Sequence, residues 1–337
     1  MSQHTLILSK TPINNKMSAI DFSIVICCFN SANRIESTLA HIAHQNLNNF
    51  IFEVIIVDNN STDETQTNSL NIWNSFNVKN ELYVIEEKKA GLTYARNAGI
   101  KSAKGKYILF CDDDNWLEKN FLLNALNILN TNSNIGILGG RGIATSSVEL
   151  PNWFEANKGA YAVGEQAIKT GIINERGYVW GAGMIFRREE YLKLIQSGFH
   201  SLLSDRKGNE LSSGGDSEIC KWLLLVGKDL FYSEELVFHH FIEPTRLTKE
   251  YFDKLNIGFA KSHEILWIYD LLLRLIKGEE KYSNFIVQKI KIKYLFNRTS
   301  ERENVVLEFY NKKKKSYHHK AKIILEARKI FFMLPQF

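Results

Sequence analysis

What the chain lacks narrows its nature before any motif is considered. Its 337 residues include only 4 cysteines and 4 prolines. No two cysteines form a Cys-x-x-Cys pair, and Cys27, Cys28 and Cys111 lie in or at the end of apolar runs. They read as buried thiols in a reducing compartment, neither a disulfide frame nor a zinc site. No apolar run reaches the roughly 18 uninterrupted residues of a membrane span. The strongest, Ile265 to Ile276, is broken by Asp270 and Arg274. The first 20 residues have no basic start followed by a long apolar core, so no signal peptide is expected. Two nucleotide signatures are missing as well. No Gly-x-Gly-x-x-Gly follows the first apolar run, and the stretch from Gly99 to Tyr107 misses a P-loop by one residue of spacing and by Tyr in place of Ser or Thr. Neither a Rossmann dehydrogenase nor a P-loop enzyme is supported. No nucleic-acid-binding module is visible.

What is present is core material, unevenly charged. The length suits one large domain or two ordinary ones. Residues 246–337 hold 20 of the 42 Lys and Arg but only 10 of the 37 Asp and Glu. A mildly acidic body therefore precedes a basic region, and the two parts should have different jobs. The expected division is a flexible segment over 1–20, a body over 21–245 and a basic helical region over 246–337. That last region carries Lys312 to Lys315 and an amphipathic pattern after it. It reads either as a helix lying on anionic lipid or as a solvated face packed on the body.

Apolar periodicity organises the body. Short β-rich runs at 22–28, 52–57, 82–85, 107–111 and 135–138 alternate with helical spacing near 35–43, 70–76, 91–103 and 118–130, with Ser31 as the expected N-cap of the first helix. Strands without polar alternation, separated by helices, predict an α/β fold with a mainly parallel sheet buried on both faces. Further strands are expected at 178–186, 229–233 and 236–241, and helices at 188–196 and 216–226. The glycines inside 178–186 mark a place of close backbone or ligand approach. The period is mixed over Ile286 to Tyr294, which could be a strand or part of a helix.

One stretch carries most of the chemistry. The apolar run Tyr107 to Cys111 ends in Asp112, Asp113 and Asp114, then Asn115. Three adjacent carboxylates repel one another unless something positive lies among them. A hard divalent cation such as Mg²⁺ or Mn²⁺ would serve, sharing its shell with substrate phosphates. On these residues alone a solvated turn remains open, since Asp and Asn favour turns. Asn30 and Asp58 also follow strands, which would gather them with the triplet on one edge of a parallel sheet.

The pieces Ser23-Ile-Val-Ile-Cys-Cys-Phe-Asn30, Val57-Asp-Asn-Asn-Ser-Thr-Asp63, Gly91-Leu-Thr-Tyr-Ala-Arg-Asn-Ala-Gly99, Phe110-Cys-Asp-Asp-Asp114, Trp180-Gly-Ala-Gly183, Gly214-Gly-Asp-Ser-Glu218 and His239-His-Phe-Ile-Glu-Pro-Thr-Arg246 follow in order over about 22–246. Together they resemble the family 2 glycosyltransferases, inverting enzymes of the GT-A fold that use nucleotide-diphosphate sugars. The resemblance implies a GT-A-type mixed, mainly parallel sheet flanked by helices, with a mainly helical C-terminal extension. It implies a nucleotide-sugar half over about 21–140 and an acceptor half over about 141–245.

The resemblance also implies roles. Asp58 would bond the nucleobase, Arg96 would face the nucleotide, and Asp112 would reach the ribose or the metal. Asp114, with Asp112 and His240, would hold Mn²⁺ or Mg²⁺ at the diphosphate, over which Arg246 closes. Asn30 and Glu218 would join the substrate contacts. Trp180, Gly181 and Gly183 would floor the donor sugar. Asp216 would be the general base that takes the proton of the acceptor hydroxyl. Many relatives carry Glu-Asp where this chain has Gly215-Asp216, which weakens any role for the missing acid. The residues alone allow plainer duties: Asp58 as a turn or cap, Arg96 as a surface cation, His240 as a buried strand-end residue, Asp216 as a helix cap. The implied reaction transfers sugar to a glycan or lipid-linked acceptor in cell-surface polysaccharide or glycolipid synthesis. It would occur in the cytoplasm, with peripheral contact at the cytoplasmic membrane face through the basic C-terminus and no nucleic-acid partner. A GT-A-like nucleotidyltransferase and a catalytically idle nucleotide-sugar or glycan-binding subunit are the competing readings.

Overall fold

A computed structural model describes residues 20–47, 50–196 and 213–276, together with 201, 203, 205, 206, 211, 292, 295 and 298. The N-terminal segment expected to be flexible and the Lys312 to Lys315 run lie outside the described residues. So, apart from residue 292, does the ambiguous Ile286 to Tyr294 stretch.

The apolar runs do become strands. Among the described residues, β1 (Phe22–Cys28), β2 (Phe52–Asp58), β3 (Leu82–Glu86) and β4 (Tyr107–Phe110) form a parallel set. They are joined through α1 (Ile35–Ala43), α2 (Thr65–Ser75) and α3 (Leu92–Ser102). The chain then makes β5 (Asn115–Leu117), α4 (Phe121–Thr131), β6 (Ile135–Thr145), β7 (Gly171–Ile172) and β8 (Ile185–Arg187). It continues through α5 (Arg188–Gln196), α6 (Gly215–Leu225), β9 (Asp229–Phe241) and α7 (Lys249–Ile276). The sheet order is β3-β2-β1-β4-β8-β6-β9-β5, with β7 also on β9. β8 runs antiparallel to both β4 and β6, and β9 lies parallel to β6 but antiparallel to β5. The result is a mixed, mainly parallel sheet flanked by helices.

Side-chain alternation explains why both faces are covered. Ile24, Ile26 and Cys28 of β1 pack with α1, α2 and α4 on one face. Val25 packs with Ile55, Val57 and the helices α3, α5 and α6 on the other. A smaller core of Phe154, Tyr161, Val163, Ile242, Leu247 and Leu255 joins the segment after β6 to the start of α7. The parallel strands deliver their carboxyl ends to one edge, and the order reverses beside β1, where open α/β sheets bind ligands.

Several local expectations change. The Tyr178 to Phe186 stretch is not one strand: only its end pairs in β8, and residues 181–183 form a turn with Gly183 at φ +70°. The left-handed angle at Gly183 suits a residue without Cβ and breaks the extended run. The two strands expected at 229–233 and 236–241 are one strand, β9. Ser31 does not cap α1; its hydroxyl donates to Asp113 instead, and no side chain caps that helix. No described helix is long and apolar enough to cross a membrane.

Helix α3 lies unusually close to the sheet because of Gly99. A Cβ there would sit 2.3 Å from Val25 Cγ1 and 3.1 Å from Val57 Cγ2. Gly99→Ala should therefore destabilise the fold by about 1–3 kcal/mol, as overpacked cores do. Urea unfolding measures it, and an unchanged midpoint would contradict the packing.

Candidate active site

A cleft of about 1300 Å³ opens at the carboxyl edge of the sheet. Its walls come from the ends of β1 and β4, from α3, from the 180–182 turn, from the first turn of α6 and from a long face of α7.

The acidic triplet fans out at the end of β4. Asp112 is half-buried and lines the cleft. Asp113 turns toward α1, where its carboxylate accepts from the Ser31 hydroxyl and from Arg34 Nε at 2.9 Å. Burial, then the neighbouring Asp114, push the Asp113 carboxyl up, against the pull of Arg34. Asp114 turns the other way. Its Oδ2 accepts from Arg246 Nη1 at 2.8 Å, and its Oδ1 faces His240 Nε2 at 3.5 Å. The pairing of β5 with β9 sets Asn115 opposite His240, which brings the histidine beside the triplet. Burial would raise the Asp114 carboxyl, but His240, Arg246 and Arg206 together outweigh it and hold it well below the usual range.

His240 is oriented from behind. Its Nδ1 lies 2.6 Å from the Tyr161 carbonyl, so that nitrogen carries the proton and donates it. Nε2 then faces Asp114 Oδ1, a buried oxygen with no hydrogen-bond partner. A proton or a metal cation between the two would satisfy both. A ligating histidine that donates its other N–H to a carbonyl has the usual arrangement of a metal site. Among the described residues no three His, Cys, Asp or Glu side chains close around one point. Of the expected ligands Asp112, Asp114 and His240, only Asp114 and His240 face each other, and any ion between them would need further ligands from substrate or water.

The opposite side of the cleft is built on Arg96, Gly181 and Asp216. Arg96 lies over the Phe110 ring and donates from Nη1 to Asp205 Oδ2 at 3.2 Å. The Gly181 N–H donates to Asp216 Oδ2 at 2.8 Å, and Asp216 Oδ1 accepts from the Ser217 N–H at 2.7 Å. A Cβ on Gly181 would strike Arg96 Nη2 at 2.6 Å and lie 3.3 Å from Asp216 Oδ2, so glycine leaves room for both side chains beside the turn. Gly183 ties the turn to β4 by donating to the Phe110 carbonyl at 3.0 Å. Trp180 lines the cleft, its main-chain N–H held by Gln166 Oε1 at 3.0 Å and its ring under the Arg176 guanidinium.

Of the residues expected from sequence, Arg96, Asp112, Asp114, Trp180, Gly181, Asp216, His240 and Arg246 share this cleft. Four do not line it: Gly183 of the turn, Asp58, Asn30 and Glu218. Asp58 is buried at the end of β2, accepting from the Ser61 N–H at 3.2 Å and from Gln66 Nε2 at 2.6 Å, which is the plainer turn duty. Asn30 is exposed and accepts from the Thr62 N–H at 2.8 Å, stitching two loops together. Glu218 is 0% exposed. It accepts from Tyr269 OH at 2.5 Å, from Ser201 Oγ at 2.5 Å and from the Leu203 N–H at 3.3 Å. It faces inward from α6, tying α7 and the 201–203 segment to that helix. Sequence reasoning missed Asp205, Arg34, and the Lys221–Asp270 pair at 2.5 Å that links α6 to α7 at the cleft wall. Arg34 had one legible signal, a cation directly after the first strand-end loop. Asp205 had none, lying in a polar stretch without periodicity.

The comparisons fit this geometry. The model of glycosyl transferase family 2 matches residues 23–193, just over half the chain. The chain belongs to glycosyl transferase family 2. Among its relatives, the poly(ribitol-phosphate) beta-glucosyltransferase of Bacillus spizizenii is 35% identical over 139 residues, 39% of this chain and 21% of the relative. The poly(ribitol-phosphate) beta-N-acetylglucosaminyltransferase TarP of Staphylococcus aureus is 24% identical over 129 residues, 38% of this chain and 39% of TarP. The family 2 chain thus matches only a minor part of these relatives' length. Its fold is similar to that of S. aureus TarS 1–349 in complex with UDP-GlcNAc, with a TM-score of 0.52, 18% identity and coverage of 92% and 90% of the two chains. At that identity the likeness is one of fold, and it agrees with the GT-A-type sheet expected from sequence.

Glu218 offers a direct check on the division between site and scaffold. Glu218→Ala orphans buried donors on Tyr269 and Leu203, so it should cost roughly 2–5 kcal/mol of stability. Nucleotide affinity of the folded fraction should stay unchanged. Chemical denaturation and calorimetric titration with UDP separate the two, and lost affinity with normal stability would return Glu218 to the substrate site.

Proposed function

We propose that the chain is an inverting glycosyltransferase that moves a sugar from a nucleotide-diphosphate donor to a hydroxyl acceptor. The observation that carries this reading is the two-sided cleft. A buried cationic and acidic cluster at Asp114, His240 and Arg246 faces a second carboxylate, Asp216, aimed by the Gly181 N–H. Transfer needs both sides: positive charge where the nucleoside diphosphate leaves, and a base beside the attacking hydroxyl. Relatives named for acting on poly(ribitol-phosphate), and a similar fold bound to UDP-GlcNAc, support a UDP-sugar donor and a cell-surface polymer acceptor.

Each side chain then has a task. Arg246, already charged beside Asp114, meets the diphosphate oxygens, and Arg96 adds charge from α3. Asp216 takes the proton of the acceptor hydroxyl as its oxygen attacks the anomeric carbon. The Gly181 and Ser217 N–H groups fix the orientation of the carboxylate in the first turn of α6. Trp180 offers a flat face to a sugar ring. Asp112, Asp114 and His240 would hold Mn²⁺ or Mg²⁺, which when bound acts as a Lewis acid on the departing diphosphate. The segment over 141–245 supplies the acceptor side. Residence in the cytoplasm, with peripheral contact at the membrane face, belongs to the same reading.

A thermal-shift panel of UDP-, GDP- and TDP-sugars with and without Mn²⁺ or Mg²⁺ tests the donor side, since a ligand of the folded state raises its melting point. One donor should stabilise the protein, more so with metal, and Asp114→Ala should abolish the metal-dependent part. Asp216→Asn should keep the donor shift and lose transfer by about 10²–10⁴-fold. Pyrophosphate release from a nucleoside triphosphate would favour a nucleotidyltransferase instead. Full transfer by Asp216→Asn would remove it as the base.

A further inference from the structure

Asp205 is a buried carboxylate that the transfer mechanism above does not use. It is 4% exposed, and burial pushes its carboxyl up to about 6 despite the pull of Arg96. Its backbone φ is +49°, in the left-handed region that Asp and Asn enter more readily than other residues bearing a Cβ. Oδ1 accepts from the Gly215 N–H at 2.7 Å, satisfying a donor at the start of α6. Oδ2 accepts from Arg96 Nη1 at 3.2 Å.

The space it fills is informative. A Cβ on Gly215 would lie 2.2 Å from Asp205 Oδ2, 2.7 Å from its Cγ and 3.0 Å from Oδ1. The Asp205 carboxylate therefore stands where a side chain of residue 215 would begin. Arg96, for its part, has several carboxylates in reach. Its guanidinium is held in the charged form, against burial, by Asp205 first, then Asp216 and Asp112. The point where a Gly181 Cβ would sit is 2.6 Å from Arg96 Nη2 and 3.3 Å from Asp216 Oδ2. Without a competing partner, the nearest anion for that guanidinium is Asp216.

We propose that Asp205 is a positioning residue: entering from the loop before α6, its carboxylate takes the place of a side chain at 215 and occupies Arg96, leaving Asp216 free to act on the acceptor. The last clause rests on the glycosyltransferase reading; the exchange between positions 205 and 215 does not. Asp205 needs no contact with substrate in this role. Its charge matters through Arg96, and its shape matters through Gly215.

The test is a swap. Asp205→Asn keeps an acceptor for the Gly215 N–H but removes the charge. It should lower kcat by about tenfold or more, with the donor KM within about threefold, because the loss lies in Asp216 and not in donor binding. Gly215→Asp alone drives a side chain into the Asp205 carboxylate and should lower both the melting point and the rate. Asp205→Gly alone should lower the rate. The double variant Asp205→Gly/Gly215→Asp returns one carboxylate to the shared space. It should exceed either single variant in rate by about tenfold and melt above the value expected from additive losses. Rates are read as UDP released from UDP-N-acetylglucosamine, or as nucleoside diphosphate from whichever sugar donor the wild type consumes. A double variant no faster than the better single, or wild-type kcat in Asp205→Asn, overturns the proposal. If the wild type consumes no donor, the glycosyltransferase reading falls. The melting cycle still decides the exchange, with a non-additive gain supporting it and simple additivity overturning it.

Discussion

The buried ion cluster around Asp114 is the contact on which the site depends. One carboxylate at the end of β4 binds a guanidinium 132 residues away and faces an imidazole on β9, all largely removed from water. Taking these charges out of water is costly, and removing one partner from such a pair typically costs about 3–5 kcal/mol. The cluster survives because the sheet puts its members together for other reasons. β5 pairs with β9, and the Phe241 N–H donates to the Asp114 carbonyl at 2.8 Å. The Tyr161 hydroxyl bonds the Arg246 carbonyl at 3.0 Å and so fixes the turn that carries the guanidinium. The small core behind that turn is thus part of the electrostatics, since its packing decides where Arg246 can reach.

A second consequence concerns the unequal carboxylates of the triplet. The turn over Asp113 and Asp114, closed by the Asn115 N–H donating to the Asp112 carbonyl at 3.1 Å, separates the three side chains, and Arg34 and Ser31 engage Asp113 at α1. Arg34 also lies 3.7 Å from Glu243, just before the Arg246 turn. Asp113 therefore holds the loop while Asp112 and Asp114 are left facing the cleft, one open and one paired. Repulsion is relieved by sending Asp113 and Asp114 to different cations, Arg34 and Arg246.

Legibility from sequence followed burial. The central strands were readable because each is covered on both faces and shows as an unbroken apolar run, as Ile24, Val25 and Ile26 do. The 178–186 stretch was misread as one strand because its composition is apolar while its conformation is set by Gly183 and by close approach to Arg96. Residues that line the cleft were readable where they sit at strand ends or on a helix start, as with Asp112, Asp114, His240 and Asp216. Asp58 and Glu218 have equally suggestive positions in the chain but point into local hydrogen bonds, and side-chain direction is not written in a one-letter pattern. Asp205 was invisible because its place is defined by Gly215, a residue notable only for what it lacks.

The path of the chain through the sheet divides the labour of change. β1 through β4 follow one another in the chain through α1, α2 and α3 and form the parallel set. The chain then leaves the sheet after β6, touches it briefly as β7 on β9, and re-enters it at β8, which lies between β4 and β6. That excursion brings Tyr161 and Trp180 to the cleft and closes against α7. Lengthening or rewriting it alters one wall of the cleft without disturbing a hydrogen bond of the parallel set. Change confined to that detour can therefore reshape what the cleft admits while the strands that carry the acidic triplet stay as they are.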